Sequence, residues 1–238
     1  MLPLVLALIG LPVGFALDGL VAHLAVPPDD EDDGERQAPT THALVHSEAG
    51  SLVVSGDHAG AAWTRRLVIV AATAGLFAAA GARYDDVSHL AVVTAYICAL
   101  LVCAATDALS YRVPNVITYP AIVGALAVGI AMPDADLFEI LAGGLLAGGV
   151  LLLPALLTGG VGMGMGDVKL AIFVGLALGF TNAVPALLFM ALSGGLAAAL
   201  LLITRLRKRG EPIPYAPFIS AGALTALLWQ GAAFVELT

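Results

Sequence analysis

Long apolar stretches dominate this chain and limit the folds that are open to it. Eight of them can be separated, at residues 2–26, 66–82, 88–106, 115–131, 137–157, 167–181, 183–204 and 216–236. Most approach the ~20 residues that an α-helix needs to cross a bilayer. The chain is 60% hydrophobic and only 12% charged, which suits helices that face lipid. The pattern predicts an all-α, polytopic membrane bundle of about eight transmembrane helices, with six or seven as the alternative, and not a β-barrel, because strand alternation is absent.

The basic residues predict how this bundle is oriented. With eight helices, nine of the ten basic residues fall on the side of the odd-numbered connections. They are Arg36, Arg65, Arg66, Arg112, Lys169, Arg205, Arg207, Lys208 and Arg209. Only Arg83 lies on the other side. Because cytoplasmic loops carry the excess of Lys and Arg, we expect both termini to lie outside the cytoplasm.

One long connection divides the chain. We expect a first transmembrane helix over residues 1–26, an acidic cytoplasmic loop over 27–65, and a seven-helix core over 66–238. The loop contains the acidic run DDEDDGE at 29–35 and too few clustered apolar residues to form a core. The run is either a solvated segment or a means of attracting a basic substrate segment.

Two acidic residues stand out by their positions. Asp107 ends the third apolar stretch, and Asp167 begins the sixth. Both therefore fall at the predicted cytoplasmic edge of the membrane, where an acid is costly unless something uses or solvates it. They are sixty residues apart, which leaves room for one outgoing and one returning helix. The glycine-rich run 159–166 lets the backbone before Asp167 bend and approach closely.

Each of these acids also has a purely structural interpretation. Asp167 could cap the sixth helix by accepting a free backbone N–H, and Asp107 could start the turn that follows its helix. Asp18 in the first stretch is interpreted as polar packing, and His23 is poorly spaced to join it in a metal pair. Lys169 either extends its ammonium group to the interface or lies near the acids as a local positive charge.

The two acids together indicate a reaction. Carboxyl groups held a few ångströms apart share a proton and titrate as a unit. One is then a base that activates water, while the other is an acid that protonates a carbonyl oxygen or a leaving amine. This is the chemistry of aspartic peptidases.

Three motifs resemble those of type IV prepilin peptidases, which are membrane aspartyl proteases of the GxGD class. GMGDVKL at 164–170 is similar to their G-x-G-D-x-K pattern, and DALSYRVPN at 107–115 resembles their D…R-I-P-N stretch with valine in place of isoleucine. PIPYAPFISAG at 212–222 resembles their I-P-F-G-P-F-L segment. The resemblance covers roughly residues 66–236 in order.

The resemblance implies an endopeptidase that removes the basic leader of prepilins or pseudopilins at the cytoplasmic face of the inner membrane. It implies that Asp107 and Asp167 are the catalytic pair. The residues that shape the two motifs would be Arg112, Pro114, Asn115, Gly164, Gly166 and Lys169. We expect no metal and no cofactor. The expected partners are the substrate and membrane lipid, not nucleic acid, and a homo-oligomer is left open.

The N-terminal part departs from the family pattern. GLPVGFALDGLVAHLAVPP at 10–28 is only loosely similar to the family's G-x-x-x-G-S-F-L-N-V…R-x-P opening, and its Asn and Arg are missing. The acidic loop stands where long members carry a domain with four zinc-binding cysteines. Cys98 and Cys103 are the only cysteines and form no C-x-x-C pair, so we interpret them as packing residues. The chain thus resembles a short form, and N-methyltransferase activity is not expected.

Other functions remain open at this point. A cation-coupled transporter could use the same two acids, and would be expected to hold them near the bilayer midplane. A protease of the GxGD class that cuts within a membrane helix, as signal-peptide peptidases do, usually has its first acid in a Tyr-Asp pair, whereas Asp107 follows Thr106. An inactive relative that serves as an assembly platform is the third alternative.

Overall fold

A computed structural model describes residues 2–25, 55–132, 135–157, 164–204 and 213–236. The acidic run at 29–35, Arg36 and the basic cluster at 205–209 lie outside these residues. The predictions made for them therefore stay predictions, as does the division of the chain into three parts, although α2 begins at Ser55, before the predicted boundary at 65.

Helices make up nearly all of the described chain. They are α1 (Leu2–Ala25), α2 (Ser55–Arg83), α3 (Val87–Ser110), α4 (Asn115–Ala131), α5 (Leu137–Leu157), α6 (Met165–Ile203) and α7 (Ala216–Trp229). In this part of the chain, α1, α2, α3, α5 and α6 are long and apolar enough to cross a membrane, while α4 and α7 are shorter apolar helices. The predicted all-α membrane bundle with several spans is confirmed. The count of eight spans and the sides of the two termini remain predictions.

Helix α6 contains the sixth and seventh predicted segments and breaks at Gly179. Gly179 has φ 74° and ψ 172°, a conformation that glycine adopts without steric cost. It lies beside Ala233, just after α7, whereas Gly194 packs against the first turn of α7. The N–H of Ala216 at the start of α7 donates a hydrogen bond to Asp107 of α3. Asp107 in turn lies near Asp167 at the start of α6. The second half of α6 therefore returns toward the end of the bundle at which the first half begins.

Glycine allows α5 and the first half of α6 to pack backbone against backbone. A Cβ atom on Gly143 would lie 2.5 Å from the carbonyl carbon of Gly179, and one on Gly175 would lie 2.8 Å from Cα of Gly144. Such distances leave no space for a side chain. Packing between small residues is a common way for membrane helices to associate, because lipid provides little hydrophobic drive between them.

The last predicted segment, 216–236, is only partly helical. Helix α7 ends at Trp229, and a two-stranded hairpin follows, with β1 (Gly231–Ala232) antiparallel to β2 (Val235–Glu236). Gly231 has φ 111°, which a helix cannot contain. The hairpin is held to α6 by a hydrogen bond of 2.9 Å from the N–H of Ala233 to the carbonyl of Ala177.

The end of α2 closes the same end of the bundle. The buried Tyr84 hydroxyl donates to the carbonyl of Leu227 at 2.6 Å, and burial raises the pKa of this hydroxyl. Arg83 donates to the carbonyls of Leu228 and Trp229 at 3.0 and 3.2 Å. These bonds satisfy the last carbonyl groups of α7, which have no partners within the helix.

Helices α1 and α2 form an antiparallel pair, and α2 begins earlier in the sequence than predicted. Residues 55–65, assigned to the loop by their polarity, are the first turns of α2. Two adjacent basic residues at the predicted boundary, Arg65 and Arg66, turn toward α1, because both pair with Asp18. A charged residue that meets a buried partner can continue a membrane helix, which hydropathy alone does not predict.

The contact between α5 and α6 gives a stability prediction. We expect Gly175→Ala to destabilise the protein by about 1–3 kcal/mol, the usual cost of overpacking, because its Cβ would overlap the Gly143 backbone, which has no rotamer to change. Thermal unfolding in detergent measures the effect. Gly149→Ala is the matched control on α5, since nothing lies within 4 Å of its Cβ position. Equal midpoints for the two variants would contradict the proposed close contact.

Candidate active site

Asp107 lies in the last turn of α3, with only 5% of its surface exposed. Its Oδ2 accepts a hydrogen bond of 2.9 Å from the backbone N–H of Ala216, and the N–H of Tyr215 adds a second, weaker contact. The free N–H groups at the start of α7 thus meet a carboxyl group, an arrangement that the partial positive charge of a helix N-terminus favours.

The structure does not place the start of a turn at Asp107, as the purely structural interpretation of this residue predicts. The helix continues to Ser110 and closes at Tyr111, whose φ of 53° is left-handed. The N–H of Tyr111 donates to the backbone carbonyl of Asp107 at 2.8 Å. Asp107 is therefore fixed within a helix, and the turn begins four residues later.

Asp167 is the third residue of α6 and is 9% exposed. Its carboxyl group accepts the backbone N–H of Gly164, while its own N–H donates to the Gly164 carbonyl at 3.1 Å. This reciprocal pattern is a helix cap, so the capping role considered for Asp167 is present. It occupies one side of the carboxyl group. The other oxygen, Oδ1, is buried and has no hydrogen-bond partner among the described residues.

The structure brings the two acids together. Asp107 and Asp167 are close enough for the charge on one to repel the charge on the other. Gly166 contributes to this proximity, because a Cβ atom there would lie 2.9 Å from Cβ of Val113 in the connection after α3. A residue larger than glycine at this position would push the start of α6 away from the first motif.

Lys169 links the two motifs directly. Its Nζ donates a hydrogen bond of 2.9 Å to Oδ1 of Asn115, the first residue of α4. The same ammonium group lies 4.7 Å from the ring centroid of Tyr119, within the range of a cation–π interaction. Lys169 thus makes specific contacts with the first motif rather than extending freely into the interface.

The other two predicted residues of the first motif differ in their contacts. Pro114 precedes α4 with φ −72°, and its carbonyl accepts the N–H groups of Ile117 and Thr118 at 3.1 Å each. Proline is suited to this position because its fixed φ restricts the entry into a helix. Arg112 is exposed and shows no hydrogen bond or ion pair to the described residues. Nothing in the geometry assigns it a role in joining the two acids.

Sequence reasoning missed one contributor to this site. Ala216 supplies the N–H that holds Asp107, and an alanine carries no side-chain signal for such a role. The motif PIPYAPFISAG that contains it indicates the family by resemblance but assigns no role to Ala216. Two of its three prolines, Pro214 and Pro217, frame the start of α7, and this framing is the sequence signal for where the helix begins.

Known proteins are similar to the part of the chain that carries both acids. Residues 94–202 match the model of the type IV leader peptidase family. A protein of Bacillus subtilis named prepilin leader peptidase/N-methyltransferase is 37% identical over 160 residues. Proteins of the same name from Burkholderia pseudomallei and Pseudomonas aeruginosa are 34% and 33% identical over 136 and 134 residues.

The coverage of these matches is partial. The part aligned with the Bacillus protein is 66% of this chain and 63% of that protein. The part aligned with the Burkholderia protein is 55% of this chain and 44% of that protein. The chain thus spans less than two thirds of the length of these relatives. No solved structure gives a significant match to it.

Both sources of similarity agree on one family, and the matched residues contain Asp107, Asp167, Lys169 and Asn115. The resemblance found in the motifs is therefore confirmed: residues 94–202 of this membrane protein match the type IV leader peptidase family, and relatives named prepilin leader peptidase agree with that match.

Proposed function

We propose that this chain is a membrane aspartic endopeptidase that cleaves the basic leader peptide from a prepilin or pseudopilin. The observation that carries the proposal is the juxtaposition of two buried acids, Asp107 and Asp167, at one end of the bundle. The names of the relatives support the substrate class, since they are prepilin leader peptidases.

The proposed reaction uses one carboxylate and one carboxylic acid. The carboxylate removes a proton from a water molecule, whose oxygen attacks the carbonyl carbon of the scissile peptide bond. The carboxylic acid protonates the carbonyl oxygen, and a proton passes to the leaving nitrogen as the C–N bond breaks. Because the two groups interact, the roles belong to the pair rather than to either residue alone.

The hydrogen bonds of the two acids support this mechanism. Oδ1 of Asp167 is buried without a partner among the described residues, and such an oxygen is normally satisfied by water or substrate. Oδ2 of Asp107 is held by Ala216, which fixes the orientation of that carboxyl group. A water molecule bound between the two groups would meet one oxygen that is free and one carboxyl group that is fixed.

We also propose that the acid pair faces the cytoplasm. Asn115 and Lys169 lie at the end of the bundle that carries the pair, and Arg112 directly follows α3 there. Arg83 caps α7 at the opposite end. An excess of basic residues marks the cytoplasmic side, and a basic leader in the cytoplasm would meet the acids at the membrane edge.

We do not extend the methyltransferase activity in the relatives' names to this chain. The N-terminal segment lacks the Asn and Arg of the family opening, and the sequence has no C-x-x-C pair. The transporter alternative is less well supported, because Asp107 lies in the last turn of α3 and Asp167 in the first turn of α6 rather than in the middle of a span.

The mechanism predicts the loss of cleavage in either Asn variant. We expect Asp107→Asn and Asp167→Asn each to lower kcat by at least about 10²–10⁴-fold, because each removes a proton donor or acceptor. Co-expression with a prepilin that carries a basic leader, followed by gel analysis of leader removal, measures this. Asp85→Asn, an exposed acid at the other end of the bundle, is the control and should cleave normally. Normal cleavage by either active-site variant would refute the two-aspartate mechanism.

The link between Lys169 and Asn115 predicts non-additive losses. We expect Lys169→Gln and Asn115→Ala each to reduce kcat/KM, and the double variant to lose less than their sum by about 0.5–1 kcal/mol, because the first substitution already removes the shared hydrogen bond. Single-turnover cleavage assays provide the values. Combining Lys169→Gln with Asp85→Asn gives the control, for which the losses should add. Additive losses in the first pair would argue against the link.

The acidic run predicts a salt-dependent effect on substrate binding. Replacing Asp29, Asp30, Glu31, Asp32 and Asp33 by Asn or Gln should raise KM a few-fold at low ionic strength, since the run would no longer attract the basic leader. The difference should vanish at high salt, where such attraction is screened. Cleavage that is unchanged at every salt concentration would exclude this role.

A further inference from the structure

A charged cluster lies on α1 and α2, apart from the two acids of the proposed active site. Asp18 is completely buried, and its two carboxyl oxygens accept hydrogen bonds from Nε of Arg65 at 2.7 Å and Nε of Arg66 at 3.0 Å. Two guanidinium groups thus share one carboxylate. The cluster carries one positive charge in excess.

The hydrogen-bonding capacity of the two arginines is far from used. A guanidinium group has five N–H donors, and Nε is the atom that each of these two directs to Asp18. The terminal nitrogens of Arg65 and Arg66 make no hydrogen bond to the described residues. The side chains are 27% and 35% exposed, so these donors can be reached from outside the helix pair. Neutralising Asp18 would require only one arginine.

Aromatic side chains frame the cluster on its lipid side. Cζ of Arg66 lies 4.5 Å from the ring centroid of Phe15 and 5.3 Å from that of Trp63. Both rings are themselves exposed, Phe15 by 56% and Trp63 by 61%. Both rings lie against the guanidinium group of Arg66, and its terminal N–H groups, which make no hydrogen bond to the described residues, are the polar part of this surface. An exposed tryptophan next to a basic residue at the end of a membrane span is typical of the level of lipid headgroups.

We propose that Arg65 and Arg66 bind the phosphate of an anionic phospholipid headgroup. Guanidinium groups bind phosphate oxygens through paired, charge-assisted hydrogen bonds. The acyl chains would lie along the exposed apolar surface that begins at Phe15. The excess positive charge favours a lipid with a net negative charge over a zwitterionic one. This site is independent of the proposed peptidase activity, because neither acid of the active site belongs to it.

The test measures the thermal stability of the full-length protein in nanodiscs. Discs of phosphatidylcholine alone are compared with discs that contain increasing fractions of phosphatidylglycerol. The wild-type melting temperature should rise with the phosphatidylglycerol fraction and then saturate. Arg65→Gln and Arg66→Gln should each weaken the apparent lipid affinity about fivefold, the usual effect of one basic side chain near an anionic surface. Either variant leaves one arginine to pair with Asp18, so no buried charge is left alone.

Two further variants separate lipid binding from a merely structural role. Asp18→Asn keeps both arginines and removes the competing carboxylate, so it should bind phosphatidylglycerol more tightly than wild type does. If the arginines serve only to neutralise Asp18, this variant should show no gain, and the proposal would be wrong. Arg83→Gln, at the other end of α2, is the control and should keep the wild-type affinity.

The remaining outcomes also decide the proposal. A wild-type melting temperature that does not respond to phosphatidylglycerol would overturn it, as would an equal loss of affinity in Arg83→Gln. Inorganic phosphate added to discs of phosphatidylcholine should give no comparable shift. An equal shift with inorganic phosphate would mean that the cluster binds free phosphate rather than a lipid headgroup.

Discussion

The hydrogen bond from the N–H of Ala216 to Asp107 connects the parts of the bundle on which the candidate site depends. It joins the end of α3 to the start of α7. Helix α7 packs along the second half of α6, and the break at Gly179 returns that half to the first, which carries Asp167. The relative position of the two acids is thus set by the contacts that join α3, α7 and the two halves of α6, rather than by a single loop.

The buried acids of this chain differ in how completely their charge is compensated. Asp18 has an arginine on each carboxyl oxygen, whereas Asp167 has one oxygen without a partner among the described residues. An unsatisfied polar atom in a membrane bundle costs free energy, so its presence at Asp167 calls for an explanation. Binding of water or a substrate carbonyl is the explanation that the proposed peptidase offers, whereas Asp18 is paired with an arginine on each oxygen and needs no such partner.

Much of the fold could be predicted from hydropathy. The bounds predicted for the fourth and fifth segments are those of α4 and α5, since their ends coincide with polar residues or turns. The break in α6 falls at Gly179 rather than at residue 182, because hydropathy detects the polar pair Thr181 and Asn182 while the backbone reverses at the nearest glycine. The early start of α2 could not be predicted, because Arg65 and Arg66 are polar in sequence and become inward-facing only through Asp18.

The candidate site was predictable to the extent that side chains define it. Asp107, Asp167 and the Lys169–Asn115 link belong to motifs whose spacing can be recognised, although no sequence pattern gives the contact between Lys169 and Asn115 itself. The N–H of Ala216 is different, because every residue except proline has this donor. Its contribution depends on where α7 begins, which Pro214 and Pro217 help to set.

This distinction also bears on the part of the site that lies outside the family-model match. The matched residues 94–202 include both acids but not the start of α7, even though α7 completes the surroundings of Asp107. A side-chain role constrains the residue type, whereas a backbone role constrains only the path of the chain and excludes proline. The hydrogen bond to Asp107 therefore makes no demand on the side chain of residue 216, although the motif around it at 212–222 resembles a family segment. The site thus extends beyond the matched residues, into a helix whose contribution is one of position rather than of residue identity.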